Sequence, residues 1–272
     1  MKGINMHIEY HQPESLDEIQ DLRGQYLHTL VAPMDGMWES SIIAHATYWK
    51  IKYEGHIAGY FCIDSTNCLL QFYLTEAYQS FAQGIFPFIL KKEGIKRAIV
   101  STLEPFYLSL CLDFHRNLSI HSYLFRDSQM RELSFPQLKD TIFKQAKKEE
   151  LEEVVRFYEE NTEGNQDWIP PFVERLINQS QLFVLRDHQK ILGTGECIIS
   201  QKQKPYADLG MIVAKNYRKM GIGTYILIQL KNHCYNLGYK PICSCTFENI
   251  ASKRAIEKAG FISHYRILNI TF

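Results

Sequence analysis

Six consecutive residues, Arg218, Lys219, Met220, Gly221, Ile222 and Gly223, combine two positive side chains with two glycines. They lie between a strand-like run at 208–213 and an apolar, helix-like stretch at 223–235. This layout suits an anion. The glycines let the backbone approach a ligand, the basic pair supplies charge, and the first N–H groups of a helix lack partners within it. The chemistry implied is recognition of a phosphate or pyrophosphate.

Two common phosphate motifs are excluded by spacing. The chain has no G-x-x-x-x-G-K-[ST], and no third glycine follows at the dinucleotide-fold spacing, either here or after Gly193 and Gly195. What remains is R-x-x-G-x-G between a strand and a helix. A second segment follows in order: Asn249 is placed to cap a short helix, Ala255 and Ala259 share one face, and Gly260 stands where the helix must end.

Together these segments resemble the GNAT N-acetyltransferases, whose coenzyme A pyrophosphate loop reads Q/R-x-x-G-x-G/A. The resemblance implies acetyl-CoA as cosubstrate, held by Met211, Ile212, Val213, Arg218, Lys219, Met220, Gly221, Ile222, Gly223, Thr224, Asn249 and Ser252. It also implies a main-chain N–H at Ile212 or Val213 for the thioester carbonyl, where negative charge develops. The attacking amine must lose a proton, and the candidate bases are Asp208, preferred, and Glu196 on the preceding strand. A solvated or hydrogen-bonded strand carboxylate explains either residue as well. Glu163, Asp167 and Trp168 could recognise a cationic acceptor or simply form an exposed loop. The family's usual general acid is a tyrosine seven residues after the helix-opening Asn, a position held here by Ile256. Tyr225, Ser252 and Tyr265 are weak substitutes.

The elements needed to hold these groups can be read in family order. Strands are expected at 142–146, 182–186, 191–200 and 207–213, and helices at 149–160 and 171–179. The chain has 272 residues and 46% apolar content, enough for two cores. The expected domains are 1–136 and 137–272, with a polar boundary between 131 and 140.

The first half also aligns on the second. Residues 69–84 fall on 208–223 without gaps, so that Tyr78 meets Tyr217 and Gly84 meets Gly223. Residues 14–19 likewise fall on 149–154, and 57–59 on 191–193. The first copy has Gln79 for Arg218 and Ala82 for Gly221, with no Lys or Arg between Tyr53 and Lys91. Residues 1–140 carry 12 Lys and Arg against 16 Asp and Glu, whereas 141–272 carry 18 against 14. The first copy is therefore expected to be degenerate, serving packing and part of an acceptor pocket.

Other chemistries find little support. The seven cysteines include no C-x-x-C pair and read as buried, reduced thiols; no histidine spacing suggests a metal, so none is expected. Zero formal charge without a basic run argues against nucleic acid, and no apolar run has membrane-spanning length. The expectation is a soluble, cytoplasmic α/β protein, monomeric or homodimeric, with two GNAT-like domains. Each is a mixed, mostly antiparallel twisted sheet flanked by helices. The expected activity is N-acetylation of a small-molecule amine or a peptide N-terminus. The alternative is a non-catalytic acyl-CoA-binding regulator or scaffold with a relic fold.

Overall fold

The computed structural model describes residues 7–36, 38, 42–130, 133–135 and 138–272. In chain order the first half forms β1 (Ile8–His11), α1 (Gln20–Thr29), β2 (Thr47–Tyr53), β3 (His56–Ile63), β4 (Cys68–Leu74), α2 (Ala82–Glu93), β5 (Arg97–Ser101), α3 (Pro105–Phe114) and β6 (Asn117–Asp127). The second half forms β7 (Ile142–Gln145), α4 (Leu151–Asn161), α5 (Ile169–Asn178), β8 (Leu182–Asp187), β9 (Lys190–Ile199), β10 (Tyr206–Val213), α6 (Ile222–Asn236), β11 (Lys240–Thr246), α7 (Ile250–Lys258) and β12 (Phe261–Thr271).

The chain divides into two compact units interleaved in sequence: Met1–Ser122 with Tyr265–Phe272, and Tyr123–His264. A single cut after residue 136 was expected, and residues 136 and 137 lie outside the described ones. The physical reason for the difference is strand pairing. β12 ends beside β5 in the first unit, with Ile267 opposite Ser101 and Thr271 opposite Arg97. The last residues of β6 belong to the second unit, where Lys231 of α6 is buried against Asp127 (2.6 Å) and the carbonyls of Gln129 and Ala259.

Each unit is a mixed α/β structure built on a mostly antiparallel sheet. The strand order is β1-β2-β3-β4-β5-β12 in the first and β6-β11-β10-β9-β8-β7 in the second. β4–β5 and β10–β11 are parallel pairs, while β1–β2, β2–β3, β3–β4, β7–β8, β8–β9 and β9–β10 are antiparallel. No helix among the described residues is long and apolar enough to cross a membrane.

In the second unit, α6 covers one face of the sheet and α4 with α5 the other. Gly193 and Gly195 let α6 close on β9: a Cβ at either would lie 2.7 Å from Ile226, and one at Gly195 also 2.9 Å from Leu230. On the opposite face, α4 buries Val154, Phe157, Tyr158 and Asn161 at helical spacing, against the Ile169, Val173 and Leu176 of α5.

The internal repeat is visible in backbone packing. A Cβ on Gly59 would lie 1.9 Å from the Tyr73 carbonyl oxygen, and one on Gly193 would lie 2.8 Å from that of Ile212. Gly59 aligns with Gly193, and Tyr73 with Ile212, so the same close strand approach recurs in both units.

Candidate active site

The second unit's parallel pair is short. β10 and β11 pair at Tyr206↔Lys240, Ala207↔Pro241 and Asp208↔Ile242, and the pairing then stops although both strands continue. They therefore splay beyond Asp208. Gly210, Met211, Ile212 and Val213 are partly exposed along the splay, as are Ser244 and Cys245 of β11.

Strand alternation decides which N–H groups face this opening. The Ala214 N–H donates to Leu192 O at 3.0 Å, and the β9–β10 register runs unbroken from there, so the Ile212 N–H is spent on β9 opposite Thr194. The N–H groups of Met211 and Val213 point the other way, toward the splay. Of the two expected carbonyl donors, Ile212 thus has its N–H turned to β9, whereas the Val213 N–H faces the splay.

Below the splay the chain forms a fastened turn. Lys215–Tyr217 is a single 3₁₀ turn, Lys219 and Gly221 take the left-handed conformation at φ 67° and 82°, and α6 starts at Ile222. Gly221 adopts that conformation without the Cβ clash another residue would meet. Arg218, Lys219 and Met220 are exposed, whereas Ile222, Gly223 and Thr224 are buried. Gly223 lies close beneath β10, where a Cβ would meet Met211 Sδ at 3.2 Å.

Arg218 does more than supply charge. Its Nε donates to Val213 O at 3.2 Å and its Nη2 to the carbonyl of Asn161, the last residue of α4, at 2.8 Å. The Asn161 side chain in turn accepts from the Lys215 N–H at 2.8 Å and donates to Phe157 O at 2.7 Å. Two of these four bonds, Arg218 to the Asn161 carbonyl and the Lys215 N–H to the Asn161 side chain, tie the turn to α4. Beside them a cleft of about 540 Å³ is lined by Glu160, Asn161, Lys190, Lys215 and Tyr217 among others; its mixed acid and base lining selects neither charge.

The helix-opening Asn249 caps α7 as expected, its side chain accepting from the Ser252 N–H at 3.0 Å. Thr224 donates to Ala255 O at 3.3 Å, joining α6 to α7. Ile256 is buried in the core that α6 and α7 share, so the usual tyrosine position is filled by packing. Of the substitute acids, Tyr225 packs edge-on against Phe135, and Tyr265 belongs to the first unit. In the loop between α4 and α5, Glu163 and Asp167 are exposed, and Trp168 packs edge-on against Phe172.

The two carboxylates share the α4 face of the sheet. Asp208 is buried at the apex of the splay opposite Ile198, and Glu196 lies opposite Gly210. Tyr158 of α4 donates its hydroxyl to Glu196 Oε1. Burial drives the Glu196 carboxyl above the usual carboxylate range, with the Tyr158 bond opposing. Burial and then the nearby Glu196 charge hold the Tyr158 hydroxyl far above its own usual range. Sequence reasoning missed Tyr158 and Asn161 because both sit within α4's buried stripe. The available signal was two hydrogen-bonding side chains among apolar neighbours at helical spacing.

The first unit offers a contrast. Its parallel pair stops after Cys68↔Arg97 and Leu69↔Ala98, yet every residue of β4 is buried. Tyr107 of α3, itself buried, donates its hydroxyl to Leu69 O at 3.1 Å and packs beside Phe72 and Phe86. A 3₁₀ segment, Glu76–Phe81, replaces the left-handed turn, and Phe81 stacks on Tyr53 with ring centroids 4.6 Å apart.

Comparison with known proteins agrees with this architecture. Residues 15–128 match a family described as an acetyltransferase (GNAT) domain, and residues 142–261 match the acetyltransferase (GNAT) family. An acetyltransferase of the GNAT family from Colwellia psychrerythraea is similar over 97% of this chain and 99% of its own, at 31% identity and a TM-score of 0.91. The chain belongs to the GNAT acetyltransferases, with two such domains in tandem.

Two further structures share the fold of this GNAT protein. A GCN5-related N-acetyltransferase from Sphaerobacter thermophilus matches at 12% identity and a TM-score of 0.68, covering 97% of this chain and 94% of that one. A tandem GNAT protein from the clavulanic acid biosynthesis pathway matches at 11% and 0.65, covering 98% of each. No curated protein sequence matches the chain. Among the described residues no three His, Cys, Asp or Glu side chains gather in a way that could hold a metal ion.

Proposed function

We propose that the second unit transfers an acetyl group from acetyl-CoA to a primary amine, on a small molecule or a peptide N-terminus, by direct attack on the thioester. The observation that carries this reading is the open splay beyond Asp208, continuous with the left-handed turn at Lys219 and Gly221. A pantetheine arm entering between β10 and β11 would replace the missing ladder partner, while the turn and the first N–H groups of α6 would take the pyrophosphate. Met211, Ile212, Val213, Arg218 to Thr224, Asn249 and Ser252 are the residues assigned to coenzyme binding. Within that set Val213 donates its N–H to the thioester carbonyl and Arg218 fastens the turn.

One of the two carboxylates, Asp208 or Glu196, takes the proton that the amine must lose. Attack forms the C–N bond, the nitrogen of the adduct gives its second proton to water, the C–S bond breaks with its electron pair on sulfur, and water protonates the thiolate because Ile256 cannot. The first unit is assigned no coenzyme: its splay is filled and its turn is aromatic. The cysteines, none of them in a disulfide and most of them buried, fit a reducing, cytoplasmic setting.

A second reading, a non-catalytic acyl-CoA binder, is favoured by one observation, the buried Ile256. The deciding experiment is release of free CoA thiol from acetyl-CoA with a panel of primary amines. Amine-dependent release supports the transferase. Binding of acetyl-CoA without release under any amine supports the binder.

A further inference from the structure

Glu196 is unusual among the second unit's core residues in being an acid held on two sides. From α4, Tyr158, with no exposed surface, donates to Oε1. From β10, Gly210 leaves the space that Oε2 occupies, since a Cβ there would sit 2.0 Å from that oxygen. The carboxylate therefore leans from β9 onto β10, the strand that borders the splay. Fold stability alone explains this poorly, because a buried acid costs more than an apolar side chain of similar volume.

The groups around the carboxyl are few. Tyr158 faces it from α4, the buried Thr194 stands beside the Tyr158 hydroxyl on β9, and Asp208 lies on the same face of β10. Leu182 pairs with it from β8, and α5 turns Ile169, Val173 and Leu176 inward, none of which titrates.

We infer that Glu196 is the proton acceptor of the transfer reaction, and that Tyr158 is its positioning residue, with Gly210 keeping its place on β10 clear. The inference rests on the transferase reading above. In the step assigned, one proton passes from the acceptor's ammonium to Glu196, directly or through one water, and the freed nitrogen pair attacks the thioester carbon. As the tetrahedral adduct collapses, the nitrogen gives its second proton to water and the C–S bond breaks with its pair on sulfur. The first proton later leaves Glu196 for solvent, and water protonates the thiolate. Tyr158 sets where the carboxylate points and, as a donor to its ionised form, keeps its proton affinity from rising further with burial.

The test compares the full chain with Tyr158→Phe, Glu196→Gln and Asp208→Asn. The acidic limb of the pH profile of kcat/KM for the amine is read together with a ¹³C titration of the glutamate carboxyls. Loss of the tyrosine hydroxyl should move the limb and the Glu196 titration upward together by about half to one pH unit, lowering the rate about three- to tenfold below the limb. The KM for acetyl-CoA should stay unchanged. Glu196→Gln should abolish the limb and lower kcat by about a hundredfold or more, while Asp208→Asn keeps the limb.

A limb that survives Glu196→Gln, or vanishes in Asp208→Asn, would overturn the assignment. So would a Tyr158→Phe variant with limb and carboxyl titration unmoved, which would make the tyrosine a packing residue only. Failure of the transferase reading looks different: acetyl-CoA binds, no amine yields thiol in the wild-type protein, and the proton-acceptor role falls with it. The thermal midpoint of each variant separates loss of function from loss of fold.

Discussion

Arg218 and Val213 are joined by a hydrogen bond from Nε to the strand-end carbonyl, 3.2 Å long. Gln79 and Leu74 repeat that bond at 3.4 Å in the first unit, at aligned positions. The residue that opens the loop motif therefore has a role independent of charge, closing the turn after the central strand. Only the second unit adds a cation and a second anchor at Asn161.

Arg218→Gln should preserve the turn while removing the charge and the Asn161 bond. The expected cost is about 1 kcal/mol of stability and about tenfold in acetyl-CoA affinity, the effect of one charge-assisted contact. Urea denaturation and calorimetric titration measure the two. An unchanged affinity would show that the guanidinium serves the fold alone.

The close approach of α6 to β9 makes Gly193 sensitive to volume. Gly193→Ala places a methyl 2.7 Å from Ile226 Cδ1 and 2.8 Å from the Ile212 carbonyl. The isoleucine can shift but the strand backbone cannot do so cheaply. A loss of about 1–3 kcal/mol is expected in denaturant unfolding, and full wild-type stability would contradict this packing.

Much of this architecture was legible in the chain itself. In the second half, the element order implied by the GNAT resemblance placed β8, β9, β10, α4 and α5 to within a few residues, and the alignment of 69–84 on 208–223 located β4 and its following turn. The crossing of β6 and β12 between units was not legible. Local pattern says that a segment is a strand, whereas its partner is chosen by distant residues such as Arg97 and Ser101. Nor could the pattern separate Ile212 from Val213, since that depends on which neighbour each N–H faces. Tyr158 looked like one more apolar residue of α4 until Glu196 appeared opposite it.

Ile256→Tyr should not restore the missing general acid. The position is 3% exposed and packed in the core beneath α6, so the larger ring overfills it. The expected result is about 1–3 kcal/mol of destabilisation with no gain in kcat. A faster variant would mean that the tyrosine can reach the departing thiolate after all.

Stability should fall as pH rises above the carboxylate range. Burial raises the folded-state pKa of Glu104, which accepts from Tyr26 at 2.5 Å and from the Ser101 N–H and hydroxyl at 2.8 Å each. A raised folded value favours the protonated acid. Its contribution is thus complete below the unfolded pKa of about 4.3 and is lost as pH rises through the folded one. The slope is at most about 1.4 kcal/mol per pH unit for each proton released. Glu104→Gln, which keeps an oxygen for the Ser101 N–H and hydroxyl and turns its NH2 toward the Tyr26 oxygen, should flatten the pH dependence of the urea midpoint. A slope steeper than wild type would reverse the sign of this account.

The central claim is that one of two GNAT domains works, the second. Calorimetric titration of the full chain with acetyl-CoA tests it most directly, alongside Gly221→Glu in the second unit's turn and Gln79→Glu in the first. One site per chain, abolished by Gly221→Glu and untouched by Gln79→Glu, is the predicted result. Two sites, or a single site lost only in Gln79→Glu, would contradict it.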